Sequence, residues 1–419
     1  MLPYDPRWSK TEHDLDPMKD KRLIIIFLTV FIDLVGFGII IPLSPYLSKQ
    51  FGATPFQVGL LMSVYSLFQF LFAPIWGQLS DRFGRRPIIL LSLLGGGLAH
   101  TAFAFAPGLW ALVFARALAG LFGGNISAAM AYIADITSEK DRSKGMGMVG
   151  AAFGLGFILG PFLGGVFAEV GKSLGTHPPL GESFPALIAA GICLINFVFA
   201  AKYLPESLRP GVNSTRVRGR RFQRIVQALS TPVLSVLMVL VFLNTFAMAH
   251  IEASLFLYVQ DIFEWSLTQA SFGFAYIGLI LVFTQGYLIR KIMPQMGERK
   301  LLQVGLLLSG LGFGAVVIAH EIWILAVAVT LLGIGNGLAT PSLHGSLSLV
   351  SGRDVQGNNL GVSQSLSSLA RIAGPASGGL LYQDVGMWTP FAAAAGVALV
   401  GLGIAWSARA QLPQGGREH

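Results

Sequence analysis

Long apolar runs, each bounded by charged or turn residues, recur along the whole chain. They fall at about 23–47, 57–79, 88–106, 109–133, 144–168, 185–204, 232–258, 268–290, 299–319, 322–346, 358–383 and 388–409. Each is close to the roughly 20 residues that a helix needs to cross a bilayer. Runs such as Leu23–Phe31 do not alternate apolar with polar positions, as a barrel strand would. Backbone polar groups in lipid need partners within their own segment. The pattern therefore predicts an all-α polytopic membrane protein with twelve transmembrane helices.

Composition agrees with this pattern. Of 419 residues, 53% are apolar and only 12% are charged, about half the charged share of a soluble domain. These values exclude a soluble enzyme and a disordered chain. Cys193 is the single cysteine, which excludes a disulfide-stapled domain. The first 22 residues mix acids and bases, and the run from Leu23 to Leu47 is too long for the core of a cleavable signal.

Charge predicts the orientation. With the N-terminus placed in the cytoplasm, only Lys49 and Lys172 of the 29 basic residues fall in outer loops. Arg116 and Arg371 lie within spans, and all the others fall on the inner side. Both termini are expected in the cytoplasm, in a multi-pass inner-membrane protein. Topology accounts for the net charge of +8, so no nucleic-acid partner is called for. The longest inner segment, 205–231, carries Arg209, Arg216, Arg218, Arg220, Arg221 and Arg224. It reads as a linker resting on anionic lipid.

The expected organisation is a cytoplasmic segment 1–22, a six-helix half 23–204, the linker 205–231, a second half 232–409 and a tail 410–419. The halves echo each other. Gly160-Pro161-x-x-Gly164-Gly165 returns as Gly374-Pro375-x-x-Gly378-Gly379, 214 residues later, and Gly77 is matched by Gly286, 209 residues later. Parallel six-span halves with a substrate site at their interface are a transporter architecture.

Several motifs sharpen this expectation. The loop after the second span reads Gly77-Gln78-Leu79-Ser80-Asp81-Arg82-Phe83-Gly84-Arg85-Arg86. A basic turn would explain Arg82, Arg85 and Arg86, but not the Gly–Asp–Gly frame. The loop resembles motif A of the major facilitator superfamily. The fifth span places Gly147, Gly156, Gly160, Pro161, Gly164 and Gly165 at the spacing of motif C, the signature of that superfamily's drug:proton antiporters. Arg116 and Gly120 in span four resemble motif B. Asp33-Leu34-Val35-Gly36-Phe37-Gly38 in span one and Ala131–Thr137 at the end of span four are similar to the tetracycline-exporter branch. That branch carries acids within spans three and nine, where Ala99 and Ser309 stand here. The resemblance thus implies the superfamily fold and antiport, without tetracycline–metal recognition. In the second half the copy of motif A is degraded and lacks an equivalent of Asp81.

Charged side chains within spans are costly and point to function. Asp33 lies about 15 Å into span one, where its carboxyl group can load and release a proton. Glu252 and Arg116 are at similar depth in spans seven and four, so Arg116 has two possible partners. The resemblance favours Asp33, because the motif B arginine is implicated in proton coupling, and depth favours Glu252. Asp33, Arg116 and Glu252 are therefore the proton-coupling candidates. Asn244 lies on the same helix face as Glu252, whereas His250 points elsewhere. Asn125, Asn244, Asn336 and Arg371 are the substrate-cavity candidates, with interhelical bonding as the simpler role of the asparagines and of Gln69. Asp81, Arg85, Asp135 and Arg142, framed by Gly77, Arg82, Gly84 and Arg86, are expected to form a cytoplasmic gate, with Asp81 near Gly357. The motif C residues would seal one side of the cavity by close packing.

No metal-ligand spacing is present, no cofactor is implied, and no nucleotide fold supplies ATP. The expected function is proton-coupled export of drug-like or amphiphilic organic compounds by alternating access. The bilayer, a small-molecule substrate and protons are the expected partners, and a monomer is the working unit. The alternatives are a proton symporter for a sugar or small metabolite and a non-transporting membrane receptor on the same fold.

Overall fold

The architecture is that of a computed structural model, which describes residues 21–123, 125–137, 142–208, 231–351 and 356–413. The expected segments 1–22, 205–231 and 410–419 thus lie largely outside the described residues. All regular structure among the described residues is helical. In chain order the helices are α1 (Lys21–Gln50), α2 (Pro55–Phe83), α3 (Arg85–Ala104), α4 (Leu109–Phe122), α5 (Asn125–Ile136), α6 (Arg142–Leu174) and α7 (Phe184–Tyr203). Then follow α8 (Pro232–Phe263), α9 (Leu267–Phe283), α10 (Ile289–Val317), α11 (Ile322–Val350), α12 (Gln356–Asp384) and α13 (Thr389–Ser407).

Local chemistry sets the starts and breaks. Thr54 caps α2 through a capping box with Gln57, and Ser266 caps α9 through one with Gln269. Each box satisfies amides that the first turn leaves without partners. The expected fourth span divides into α4 and α5 at Gly123, where a methyl group would lie 3.0 Å from Tyr65 Oη. Between α9 and α10 the helix widens into a π-turn, Thr284–Leu288. The Thr284 hydroxyl there bonds back to the Ile280 carbonyl at 2.8 Å. Among the glycines in backbone conformations that side chains rarely adopt are Gly84, with φ 107°, between α2 and α3, and Gly297, with φ 71°, inside α10. Gly297 marks the boundary expected between the eighth and ninth runs.

Among the described residues, ten helical stretches are long and apolar enough to cross a membrane. One of them is the continuous stretch Leu267–Val317. α12 is long enough but too polar to be among the ten, with Ser363, Gln364, Ser365, Ser367, Ser368 and Arg371 along its first half. It packs between α2 and α8. Large apolar side chains such as Trp110, Phe114, Ile195 and Val198 remain largely exposed on the outside of the bundle. A soluble monomer does not leave apolar surface so widely uncovered.

Helix pairing fixes the interior. α1 packs on α6 and α7, α2 on α4 and α12, α6 also on α9, α8 on α12 and α13, and α10 on α11 and α13. Small residues bring backbones together. A methyl group at Gly160 would lie 2.6 Å from Gly38 Cα, and one at Gly156 would lie 2.7 Å from Leu34 Cβ. In the matching stretch of α12, Gly374 and Gly378 meet the α8 backbone at Ala249 and His250 in the same way.

Candidate functional site

Charged residues of four helices converge inside the bundle. Arg116 of α4 is buried and lies over two rings. Its guanidinium carbon is 4.7 Å from the Tyr65 centroid and 5.9 Å from that of Phe37. The two rings are 4.9 Å apart, so they form one clamp from α1 and α2. α4 approaches so closely because Gly120 lies against the Tyr65 carbonyl, where a methyl group would be 2.3 Å away. Nε and Nη1 of Arg116 have no hydrogen-bond partner among the described residues. A guanidinium held over aromatic faces is stabilised without being neutralised.

Glu252 of α8 is half-buried. It lies within the electrostatic reach of Arg371 on α12, and more weakly of Arg116. Tyr65 lies in the field of Arg116, Asp33 and Arg371 together. Asp33, half-buried on α1, also acts on Cys193 of α7. Arg371 is exposed although it lies in the middle of its helix. The structure thus places Asp33, Arg116 and Arg371 in reach of Tyr65, with Glu252 in reach of Arg371 and Arg116. Tyr65 was absent from the sequence candidates. Its signal was Tyr65-x-x-x-Gln69, two polar groups one turn apart in an apolar run. Gln69 donates to Tyr65 Oη at 3.2 Å and to the Gly123 carbonyl at 3.0 Å.

The asparagines form a second layer. Asn244 is buried on α8 and donates to Asn336 Oδ1 at 3.3 Å and to Thr340 Oγ1 at 3.4 Å. Thr340 in turn donates to Asn336 Oδ1 at 2.9 Å. Asn244 and Asn336 therefore bond α8 to α11, and the i, i+4 spacing of Asn336 and Thr340 was the unread signal. The side chain of Asn125 lies outside the described residues. His250 is buried on another face of α8, against the Phe246 ring at 4.8 Å, with Nδ1 3.4 Å from Ser377 Oγ. A separate cavity of about 360 Å³ lies between α8, α9 and α11. It is lined by apolar and aromatic side chains, Phe256, Trp265 and Phe274 among them, and by no charged residue.

The two ends of the bundle differ. At the Arg85 end, buried Arg85 pairs with Asp81, bonds Asp135 Oδ2 through Nε at 3.0 Å, and donates to Ser80 Oγ at 2.8 Å. Glu206 accepts from the Arg85 and Arg86 amides at 2.9 and 3.2 Å, and Ser207 donates to Asp135 at 3.1 Å. Arg86 reaches the Ala201 carbonyl, and Arg82 lies over the Phe83 ring. These bonds tie α2, α3 and α5 to the segment after α7. Among the described residues, these bonds all stay within residues 80–207. Around Gly77, Gly147, Gly150, Gly286 and Gly361 nothing lies within 4 Å of an added methyl group. The side chains of Arg142 and of the residues around Gly357 lie outside the described residues. Glu206 is the participant that sequence reasoning missed.

At the Gln50 end the same helices are in close contact. A methyl group at Gly59 would lie 2.1 Å from the Pro375 carbonyl, one at Gly379 2.3 Å from the Pro55 carbonyl, and one at Gly165 3.1 Å from Ser271 Cβ. Of the motif C residues, Gly156, Gly160 and Gly164 face α1, Gly165 faces α9, and Gly147 faces open space. Among the described residues no group of three or more His, Cys, Asp or Glu is placed to hold a metal ion.

The family model of the Major Facilitator Superfamily matches residues 26–296 and 286–417. The chain belongs to the Major Facilitator Superfamily. Within this superfamily it is 31% identical over 369 residues to the class E tetracycline resistance protein of Escherichia coli, covering 87% of this chain and 88% of the relative. It is 30% identical over 392 residues to multidrug resistance protein 2 of Bacillus subtilis (strain 168), covering 92% and 95%. Among solved structures, the human organic anion transporter MFSD10 (TETRAN) is similar at 26% identity, with a TM-score of 0.69 over 92% of this chain and 98% of that one. Its superfamily relatives are transporters and not enzymes.

Proposed function

We propose that this chain exports drug-like or amphiphilic organic compounds in exchange for protons, by alternating access. The observation that carries the proposal is the convergence of Arg116, Glu252 and Arg371 from three helices, with Asp33 from a fourth, inside a membrane-crossing bundle. Charges at that depth are retained for function. Similarity to proteins named for tetracycline and multidrug resistance supports a drug-like cargo.

The reading includes twelve crossings in two halves, 23–204 and 232–409, joined by 205–231. The stretch Leu267–Val317 has 51 residues, about 75 Å as one helix against about 30 Å of hydrocarbon. Breaking it at Gly297 gives two crossings, and α12, covered by α2 and α8, adds one more. The repeat supports two halves: capping boxes at Thr54 and Ser266, positive-φ glycines at Gly84 and Gly297, and α1–α6 packing matched by α8–α12. The charge asymmetry supports cytoplasmic termini, with the Arg85 end inside. The charged cluster is complete within one chain, which supports a monomer in the inner membrane as the working unit.

In this scheme Glu252 carries the proton. Ionised, it is held by the fields of Arg371 and Arg116 and offers a negative site to a basic or dipolar part of the cargo. Proton and cargo therefore compete for one carboxylate, which is the requirement for exchange. Asp33 sets the field at Tyr65. The Asn244–Asn336–Thr340 layer lines the α8–α11 side, and the Arg85 network and motif C packing shape the two mouths. A potential of 100 mV adds about 2.3 kcal/mol for each charge moved.

The test is counter-flow in oriented proteoliposomes with an acidic lumen. Internal pH is followed while cationic, neutral and zwitterionic drugs are added. A substrate is expected to release protons from the lumen in the original chain and not in Glu252→Gln. Proton movement in the same direction as a sugar or organic acid, with no response to any drug, refutes antiport.

A further inference from the structure

The outer face holds a bonded set that the transport scheme above has not used. Asp261, at the end of α8, accepts from two helices at once. Its Oδ1 pairs with Lys49 Nζ at the end of α1, and its Oδ2 accepts from Tyr382 Oη of α12 at 2.6 Å. Tyr382 is buried, while Lys49 and Asp261 are about one-third and one-quarter exposed. Nearby, Thr268 of α9 donates to Glu169 of α6 at 2.5 Å, and the Phe56 amide of α2 donates to Gln383 of α12 at 3.4 Å. Lys172 lies 3.4 Å from Glu169 and 3.5 Å from Glu182, and Gln50 donates to Glu182.

Two features set this network apart from the one at the Arg85 end. It crosses between the halves, joining α1 to α8, α6 to α9 and α2 to α12, whereas Arg85, Asp81 and Asp135 all belong to the first half. It also consumes both basic residues, Lys49 and Lys172, that the charge pattern places on the outer side. Beneath it lie the tightest contacts between halves, Gly59 on Pro375 and Gly379 on Pro55. Glycines permit the helices to touch there but do not hold them together. The polar bonds supply directional attraction, at a rim wet enough for them to break and reform.

We propose that Lys49, Asp261 and Tyr382 are positioning residues that latch the outer mouth shut, with Glu169–Thr268 as a second clasp. This rests on the alternating-access reading. An outward-open form requires α1 to leave α8 and α12 at their outer ends. That separation pulls Lys49 from Asp261 and Thr268 from Glu169, while Tyr382 stays with Asp261 inside the second half. The strength of the latch then sets how often the cavity faces outward.

The test uses spin labels on the full chain in nanodiscs. One pair, at Phe51→Cys and Val385→Cys, spans the outer mouth, and a second, at Tyr203→Cys and Trp406→Cys, spans the inner mouth. All four positions are exposed, and native Cys193 is buried. The outer pair is expected to give one short distance. Lys49→Ala and Asp261→Asn should each raise a longer-distance population about two- to fivefold, and the reversal Lys49→Asp with Asp261→Lys should lower it again. Tyr382→Phe, which removes only a hydroxyl, should raise it less than either. Outer distances that ignore all these variants, or a reversal that leaves the mouth as open as the single variants do, overturn the latch. If the inner pair still responds to substrate or pH in that case, alternating access stands and only the latch falls. If neither pair moves under any condition, the alternating-access reading itself is wrong.

Discussion

At the scale of single residues, the environment of Arg116 decides what the site tolerates. Its positive charge is held by two aromatic faces, with no hydrogen-bond partner for Nε and Nη1 among the described residues. A lysine keeps the charge but not the flat surface that lies on both rings. Arg116→Lys is therefore expected to lower the initial rate of proton-coupled efflux by about tenfold or more, consistent with losing a desolvated cation–π contact. Tyr65→Phe keeps the ring and removes only the hydroxyl that Gln69 reaches. Its rate should stay within about threefold of the original. Both are read as substrate efflux from vesicles of equal protein content, and equal loss in the two variants refutes the clamp. The charges of this site were legible in the sequence, since ionisable residues in apolar runs stand out. The aromatic clamp was not, because Tyr65-x-x-x-Gln69 marks a polar pair but nothing joins that tyrosine to Phe37, one of 30 phenylalanines, until the helices are packed.

At the scale of elements, glycine spacing was readable but its partners were not. The fifth-span motif contains six residues of one pattern, and the structure gives them unequal surroundings. A methyl group at Gly160 meets three backbone atoms of α1, Gly38 Cα, Gly38 C and Val35 O, at 2.6 to 2.8 Å, whereas one at Gly147 meets nothing within 4 Å. Backbone cannot step aside as a flexible side chain can. Gly160→Ala should thus force α6 from α1 and destabilise by about 1–3 kcal/mol, as overpacking does. Gly147→Ala should be neutral or slightly stabilising, since alanine is the better helix former. Thermal unfolding of both variants in detergent separates the cases, and equal midpoints refute the packing argument. Most of the helical runs were legible from hydropathy. The break at Gly297 fell at an expected boundary, whereas the one at Gly123 inside the fourth run was not legible, because it rests on contacts that one sequence does not record. The polar α12 departs from the hydropathy pattern for a related reason. It faces two helices and the charged cluster, where serines and Arg371 find company that lipid would not provide.

At the scale of the whole molecule, the two ends of one set of helices are in opposite states. α2, α6 and α12 touch partners at the Gln50 end and have open space around Gly77, Gly147, Gly150 and Gly361 at the other. Under the proposed orientation, with the Arg85 end in the cytoplasm, we read this contrast as a cavity open inward and closed outward. The Arg85 network then has no second-half partner among the described residues because the inner ends stand apart. A probe of water access should read this asymmetry directly. A cysteine at Gly361 lies in open space, whereas one at Ser271 is fully buried in the contact between α6 and α9. Cys193 is buried and gives little background. With a membrane-impermeant maleimide on the cytoplasmic side, Gly361→Cys is expected to react on the order of tenfold faster than Ser271→Cys, as a dominant inward-open population requires. Adding the latch variant Asp261→Asn should slow labelling at Gly361, because each molecule that opens outward must close its inner mouth. Unchanged labelling at Gly361 alongside a widened outer mouth means that the two ends open independently. The halves then do not rock as rigid bodies, and the link between outer latch and inner access is broken at this scale.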